Sequence, residues 1–140
     1  MVHDIAVAAL ISAVAAQFLK PFADLLQKRK FSVFRMIDSG GMPSSHTSVV
    51  TTLTVGVAVY QGVGSALFGI SLVFSLYFIF EATGLRQEVG NQARVLNEII
   101  EKVRETHHLN AEELQELIGH TWGEVIGGFV IGILVALLYY

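Results

Sequence analysis

Apolar blocks alternate with polar stretches along this chain, and the alternation predicts its elements before any motif is considered. Residues 5–19 carry no charge and end at Lys20 and Pro21. A bilayer core about 30 Å thick takes roughly 20 apolar residues as a helix. The block is therefore short, but Lys20 can snorkel its ammonium to the headgroups. From Thr47 to Phe80 there is again no charged residue. One helix of that length would measure about 50 Å at 1.5 Å per residue, so the stretch must fold back on itself. Gln61-Gly62-Val63-Gly64-Ser65 is the natural break, which predicts a tight hairpin of two helices. The last block, Val125 to Tyr140, is entered through Trp122 and closed by Tyr139 and Tyr140, side chains that favour the membrane interface. Gly128 and Gly132 within it form a GxxxG pair that permits close helix contact.

The stretches between are of two kinds. Lys20 to Met42 sets Lys20, Lys28, Arg29, Lys30 and Arg35 against Asp24 and Asp38, a basic membrane-proximal loop. Glu81 to Gly119 is also polar, but Val89, Ala93, Leu96, Ile100 and Val103 recur in it at alternating spacings of four and three. That pattern predicts an amphipathic helix. Its stripe is expected to pack on the protein's own bundle rather than form a coiled coil with a partner. A second short helix is predicted from Asn110, with Glu113 as its N3 partner.

Composition agrees with a membrane protein: 53% of residues are hydrophobic and 15% charged, where a soluble domain carries about a quarter charged. There is no cysteine, which excludes disulfides and thiolate chemistry. A net charge of -3 does not suggest nucleic acid as a partner. The N-terminus lacks a basic signal-peptide region, so Met1 to Leu19 is expected to be retained. All nine Lys and Arg residues fall in the two polar stretches. Four crossings put both stretches on one membrane face, and the positive-inside rule assigns that face to the cytoplasm and both termini to the outside. The expected fold is all-α: one membrane-embedded domain over residues 1–140, a helical bundle of about four transmembrane helices with a cytoplasmic amphipathic helical loop.

Three polar clusters converge on that face. Gly40-Gly41-Met42-Pro43-Ser44-Ser45-His46-Thr47-Ser48 precedes an apolar block. Pro43 suits a first helical turn, Ser44 and Ser45 are good N-cap residues, and the first N–H groups of a helix lack partners and face the positive end of its dipole. With Gly41 allowing close approach, a phosphate would sit there and His46 would be placed to pass a proton. The plainer alternative is a capped helix with a solvent-facing histidine. The second cluster holds Arg86 after Gly84, suited either to bidentate phosphate binding or to anchoring at lipid headgroups. The third places His120 and Glu124 on one helix face. A carboxylate there could orient a nucleophilic imidazole. Thr121 and Glu124 also have capping-box spacing, which would occupy the same glutamate. His107 and His108 are expected to be solvated, and His3 carries no signal. Two histidines and several cations without a metal-ligand cluster point to phosphoryl chemistry through a covalent phosphohistidine.

Pro43-Ser44-Ser45-His46, followed by Gly119-His120-x-x-x-Glu124 and a final apolar helix, resembles the type 2 phosphatidic acid phosphatase superfamily, which includes lipid phosphatases and vanadium haloperoxidases. Gly-Gly-Met-Pro-Ser-Ser-His-Thr and Gly84-Leu-Arg-Gln-Glu-Val-Gly-Asn-Gln-Ala93 resemble its small divergent branch, over nearly the whole chain. The resemblance implies a metal-independent phosphatase with a phosphorylated lipid as substrate and no cofactor. In it His120 attacks phosphorus, Glu124 orients it and His46 protonates the leaving oxygen. Lys20, Gly41, Ser44, Ser45 and Arg86 hold the phosphate, with Lys28 and Arg35 as further candidates through the Lys-x6-Arg spacing of the superfamily's first motif. The chain departs from the pattern at Glu124, where aspartate is expected, and at Met36, where proline is expected. Arg86 also lies far ahead of His120. Four spans instead of six imply a reduced core that a homodimer would complete. These departures keep a second reading open, a catalytically inactive membrane protein of the same fold that binds anionic lipid or a protein partner.

Overall fold

The computed structural model describes residues 4–29, 31–37, 40–107 and 121–140, without the side chains of 28, 85–87 and 104–107. Five α-helices account for most of it: α1 (Ile5–Lys28), α2 (Ser45–Gln61), α3 (Ala66–Thr83), α4 (Leu85–His107) and α5 (Trp122–Tyr139). A single 3-10 turn at Val33–Met36 follows α1. The expected all-helical membrane bundle is what the chain forms. Among the described residues, three stretches are long and apolar enough to cross a membrane, Ile5–Gln27, Ala66–Val103 and Trp122–Tyr139. α2, at 17 residues, is shorter and carries five Ser or Thr after its first two residues. It is nevertheless the central helix, packed on α1, α3 and α5.

α1 corrects the first predicted boundary. Asp4 caps its start by accepting from the Ala6 N–H (3.0 Å). The helix does not stop at Lys20 and Pro21 but continues to Lys28, where Arg29 turns into the left-handed region (φ 53°) and its N–H closes on the Leu25 carbonyl. A proline removes one donor from a helix, opposite the carbonyl four residues back. Packing compensates here, since Pro21 is fully buried and the inner face continues beyond it through Lys20 and Asp24. The first nine residues of the predicted basic loop, Lys20 to Lys28, are therefore helix, and Lys20 points inward instead of snorkelling.

The hairpin falls where expected. α2 ends at Gln61, Gly62 turns with φ 81°, and Ser65 caps α3 by accepting from the Phe68 N–H (3.1 Å). In the helical interior, hydroxyls bond to backbone carbonyls: Ser48 to Ser12 (3.1 Å), Thr52 to Gly132 (2.9 Å) and Ser75 to Val50 (3.2 Å). This satisfies polar atoms where a bilayer offers none.

Helix directions follow from these contacts. Ser44 meets Gly128, Thr51 meets Gly132 and Gly56 meets Tyr140, so α2 and α5 run parallel. Ser48 meets Ser12 while Gly56 meets Ile5, and Val50 meets Ser75 while Thr54 meets Ser71, so α1 and α3 run antiparallel to α2. Gly56 is also packed against Ile5, which puts the described ends of the chain together at the end opposite the Gly40–Ser45 segment. α4 follows α3 after Gly84 alone. Of its predicted stripe, Ala93 is buried and Ile100 and Val103 are half-buried, while Val89 and Leu96 are 40% and 47% exposed, so the protein covers the stripe in part. The helix predicted from Asn110 lies outside the described residues.

Candidate active site at the polar end of the bundle

The start of α2 is the floor of the site. Ser44 is its N-cap, with an extended backbone (φ -72°, ψ 116°), and its Oγ accepts from the Thr47 N–H (3.3 Å) and the Thr47 hydroxyl (3.1 Å). Pro43 therefore stands just ahead of the cap, not in the first turn, after a cis Met42–Pro43 bond. Ser44 is fully buried, and its own N–H donates to the Glu124 carbonyl (3.0 Å). These bonds commit Ser44 to fixing the helix start and joining it to the first turn of α5. Ser45 and His46 open the helix beyond it, Ser45 half-buried and His46 exposed.

Above this floor lies a charged cluster from α1 and the 3-10 turn. Lys20 (1% exposed) and Asp24 (9%) sit one helical turn apart on the inner face of α1. Arg35 donates from Nε to Asp24 Oδ2. Its guanidinium lies over Gly41, where a Cβ would fall 2.6 Å from Nη2, and Gly41 has φ 96°. Gly41 is thus required twice, for its backbone conformation and for the space the guanidinium takes. Gln27 reaches the same loop, donating from Nε2 to Met42 Sδ (2.9 Å). Buried charges persist when paired, as Asp24 and Arg35 are here.

The third motif is present in part. Thr121 caps α5, its Oγ1 accepting from the Glu124 N–H (3.3 Å), and Glu124 Oε2 accepts in return from the Thr121 N–H (3.2 Å). The capping box proposed as the plainer reading of Glu124 is formed. His120, and the side chains of Arg86 and Lys28, lie outside the described residues.

The structure thus gathers Lys20, Arg35, Gly41, Ser44, Ser45, His46 and Glu124 at one end of the bundle. Asp24 joins them without having been a predicted site residue, one helical turn from Lys20 because α1 continues through Pro21, and bonded to Arg35.

An arrangement of this kind, with cations beside a helix N-terminus and a histidine on its first turn, can hold an oxyanion and move a proton at it. The chain matches the Divergent PAP2 family over residues 1–135. It belongs to that family. It is also 34% identical over 140 residues to "Uncharacterized membrane protein YuiD" of Bacillus subtilis (strain 168), covering 92% of this chain and 89% of that protein. No solved structure matches the chain. The branch expected from the Gly40–Thr47 and Gly84–Ala93 stretches is therefore the one found, and the protein is a phosphatase-related membrane protein with transmembrane helices.

Proposed function

We propose that the protein is a membrane lipid phosphate phosphatase acting through a phosphohistidine. The observation that carries this reading is the Ser44 N–H bond to the Glu124 carbonyl, which ties the His46 helix start to the turn that follows His120. Lys20 and Arg35, aligned by Asp24, attract the phosphate, and Gly41 and the Ser45 end of α2 cradle it beside Ser44. Arg86 and Lys28 are further cations for the same group. His120 attacks phosphorus to form an N–P bond while the ester oxygen leaves with a proton from His46. Water then cleaves that bond and releases phosphate. The apolar helices keep the lipid tails in the bilayer while the headgroup reaches the polar end.

Purified protein should release phosphate from at least one of phosphatidic acid, phosphatidylglycerol phosphate and polyprenyl diphosphate. His120→Ala should abolish release, and Asp24→Asn should weaken substrate binding by loosening Arg35. No turnover on any of the three, or a His120→Ala variant as active as wild type, rules the reading out.

One observation favours a second reading, a non-catalytic protein that binds anionic lipid through the same cations. The Glu124 carboxylate is engaged in the capping box, the alternative to orienting a histidine. Vanadate or tungstate separates the two: binding lost on changing His46 or His120 supports the enzyme, and binding indifferent to both supports the second reading.

A further inference from the structure

The apolar arc of α4 is wider than the part of it that the protein covers. Gly90 and Ala93 are buried, and Asn97 and Ile100 beside them are half-buried. At 3.6 residues per turn these four fall on one side of the helix. Adjoining that side is a second arc with Val89 (40% exposed), Val95 (54%), Leu96 (47%) and Ile99 (52%). Opposite lie Arg94, Glu98 and Glu101, all exposed. Glu88 and Gln92, also exposed, fall within the second arc, so the helix has three sectors, one against protein, one open and mostly apolar, and one charged.

We propose that α4 lies on the bilayer surface, with the Val89/Val95/Leu96/Ile99 arc sunk into the interfacial zone of the lipid. Continuity with the neighbouring span identifies the occupant. α4 follows α3 after Gly84 alone, and α3 is exposed and apolar through Phe80, with Phe78 and Phe80 40% and 73% exposed, before the half-buried Glu81, Ala82 and Thr83. The open arc of α4 takes up that exposed apolar surface again at Val89. A second copy of the chain fits less well. The heptad stripe covers about two repeats, fewer than the three or four that mark a coiled coil. Of the positions flanking it, Gly90, Gln92, Asn97 and Ile99 lack the charges that select a partner helix, and Arg104 alone carries one. The helix carries Glu88, Glu98, Glu101 and Glu105 against Arg86, Arg94, Lys102 and Arg104. With its charges balanced, the helix is seated by apolar burial, not by attraction to anionic lipid. This inference is independent of catalysis.

The cysteine-free chain lends itself to the test. Leu96→Cys and Ile99→Cys, with Glu98→Cys and Glu101→Cys on the opposite side, are each spin-labelled in the full protein in phosphatidylcholine vesicles. Collision rates are then compared for oxygen, which partitions into lipid, and a water-soluble nickel chelate. The expected result is a several-fold higher oxygen-to-nickel ratio at 96 and 99 than at 98 and 101. Nickel dominating at all four positions overturns the proposal. So does shielding of 96 and 99 from both reagents, which would mean that protein, such as a second copy, covers the arc.

Discussion

Gly128 and Gly132 are where α5 comes closest to α2. A Cβ on Gly128 would lie 2.8 Å from Thr47 Cβ and press on the Ser44 carbonyl, and one on Gly132 would lie 2.6 Å from Thr51 Cβ and 2.7 Å from the Ser48 carbonyl. Neither neighbour can yield, because one is backbone and the other a β-branched residue of a packed helix. Gly123 is the internal comparison, since its Cβ would meet only Thr121 Oγ1, at 3.8 Å. Gly128→Ala and Gly132→Ala should each destabilise the protein by about 1–3 kcal/mol in a detergent unfolding titration. Gly123→Ala should leave the midpoint within experimental error. A Gly128→Ala protein as stable as wild type would mean that α5 can withdraw from α2 without cost. This contact was legible beforehand, because the GxxxG spacing needs only helix geometry. Asp24 was not, because its role depends on Arg35, which the chain brings back from beyond the end of α1.

Polar seams between apolar helices do similar work at the scale of elements. Thr54 Oγ1 and Ser75 Oγ lie 2.7 Å apart, and both also bond to backbone carbonyls, Thr54 to Val50 (2.8 Å) and Ser75 to Ser71 (2.8 Å). Each hydroxyl thus retains a partner in its own helix when the other is removed. A double-mutant cycle of Thr54→Val and Ser75→Ala should give a coupling of about 0.6 kcal/mol, within the range found between membrane helices. A coupling of several kcal/mol would show that the α2–α3 hairpin depends on this one contact. Hairpin position and helix type were readable from the absence of charge between Thr47 and Phe80 and from the glycines at 62 and 64. The end of α1 was not, because local propensity places a stop at Pro21 and the tertiary contacts of Lys20, Pro21 and Asp24 override it. The extent to which α4 is covered was likewise beyond periodicity, which marks an apolar stripe without saying what meets it.

At the scale of the whole molecule, charge is segregated by end. The Gly40–Ser45 segment, the end of α3 and the start of α5 share one end of the bundle, while the hairpin at Gly62 and the Ile5/Tyr140 contact occupy the other. Every Lys and Arg lies in residues 20–35 or 86–104, the two stretches that adjoin the segments of the first end. We propose that this polarity orients the protein in a bilayer, basic loops being retained on the cytoplasmic side, so that the site would face the cytoplasm and meet a headgroup on the inner leaflet. A single cysteine at Gly64, an exposed hairpin position with nothing within 4 Å of its Cβ, reports one end, and a cysteine at the exposed Arg29 reports the other. In intact cells an impermeant maleimide should label Gly64→Cys and leave Arg29→Cys unlabelled until the membrane is opened. The reverse pattern would place the site outside and direct the search for substrates to the outer leaflet. Labelling of both in intact cells would mean that the chain inserts in two orientations, so that the nine basic residues do not decide its topology.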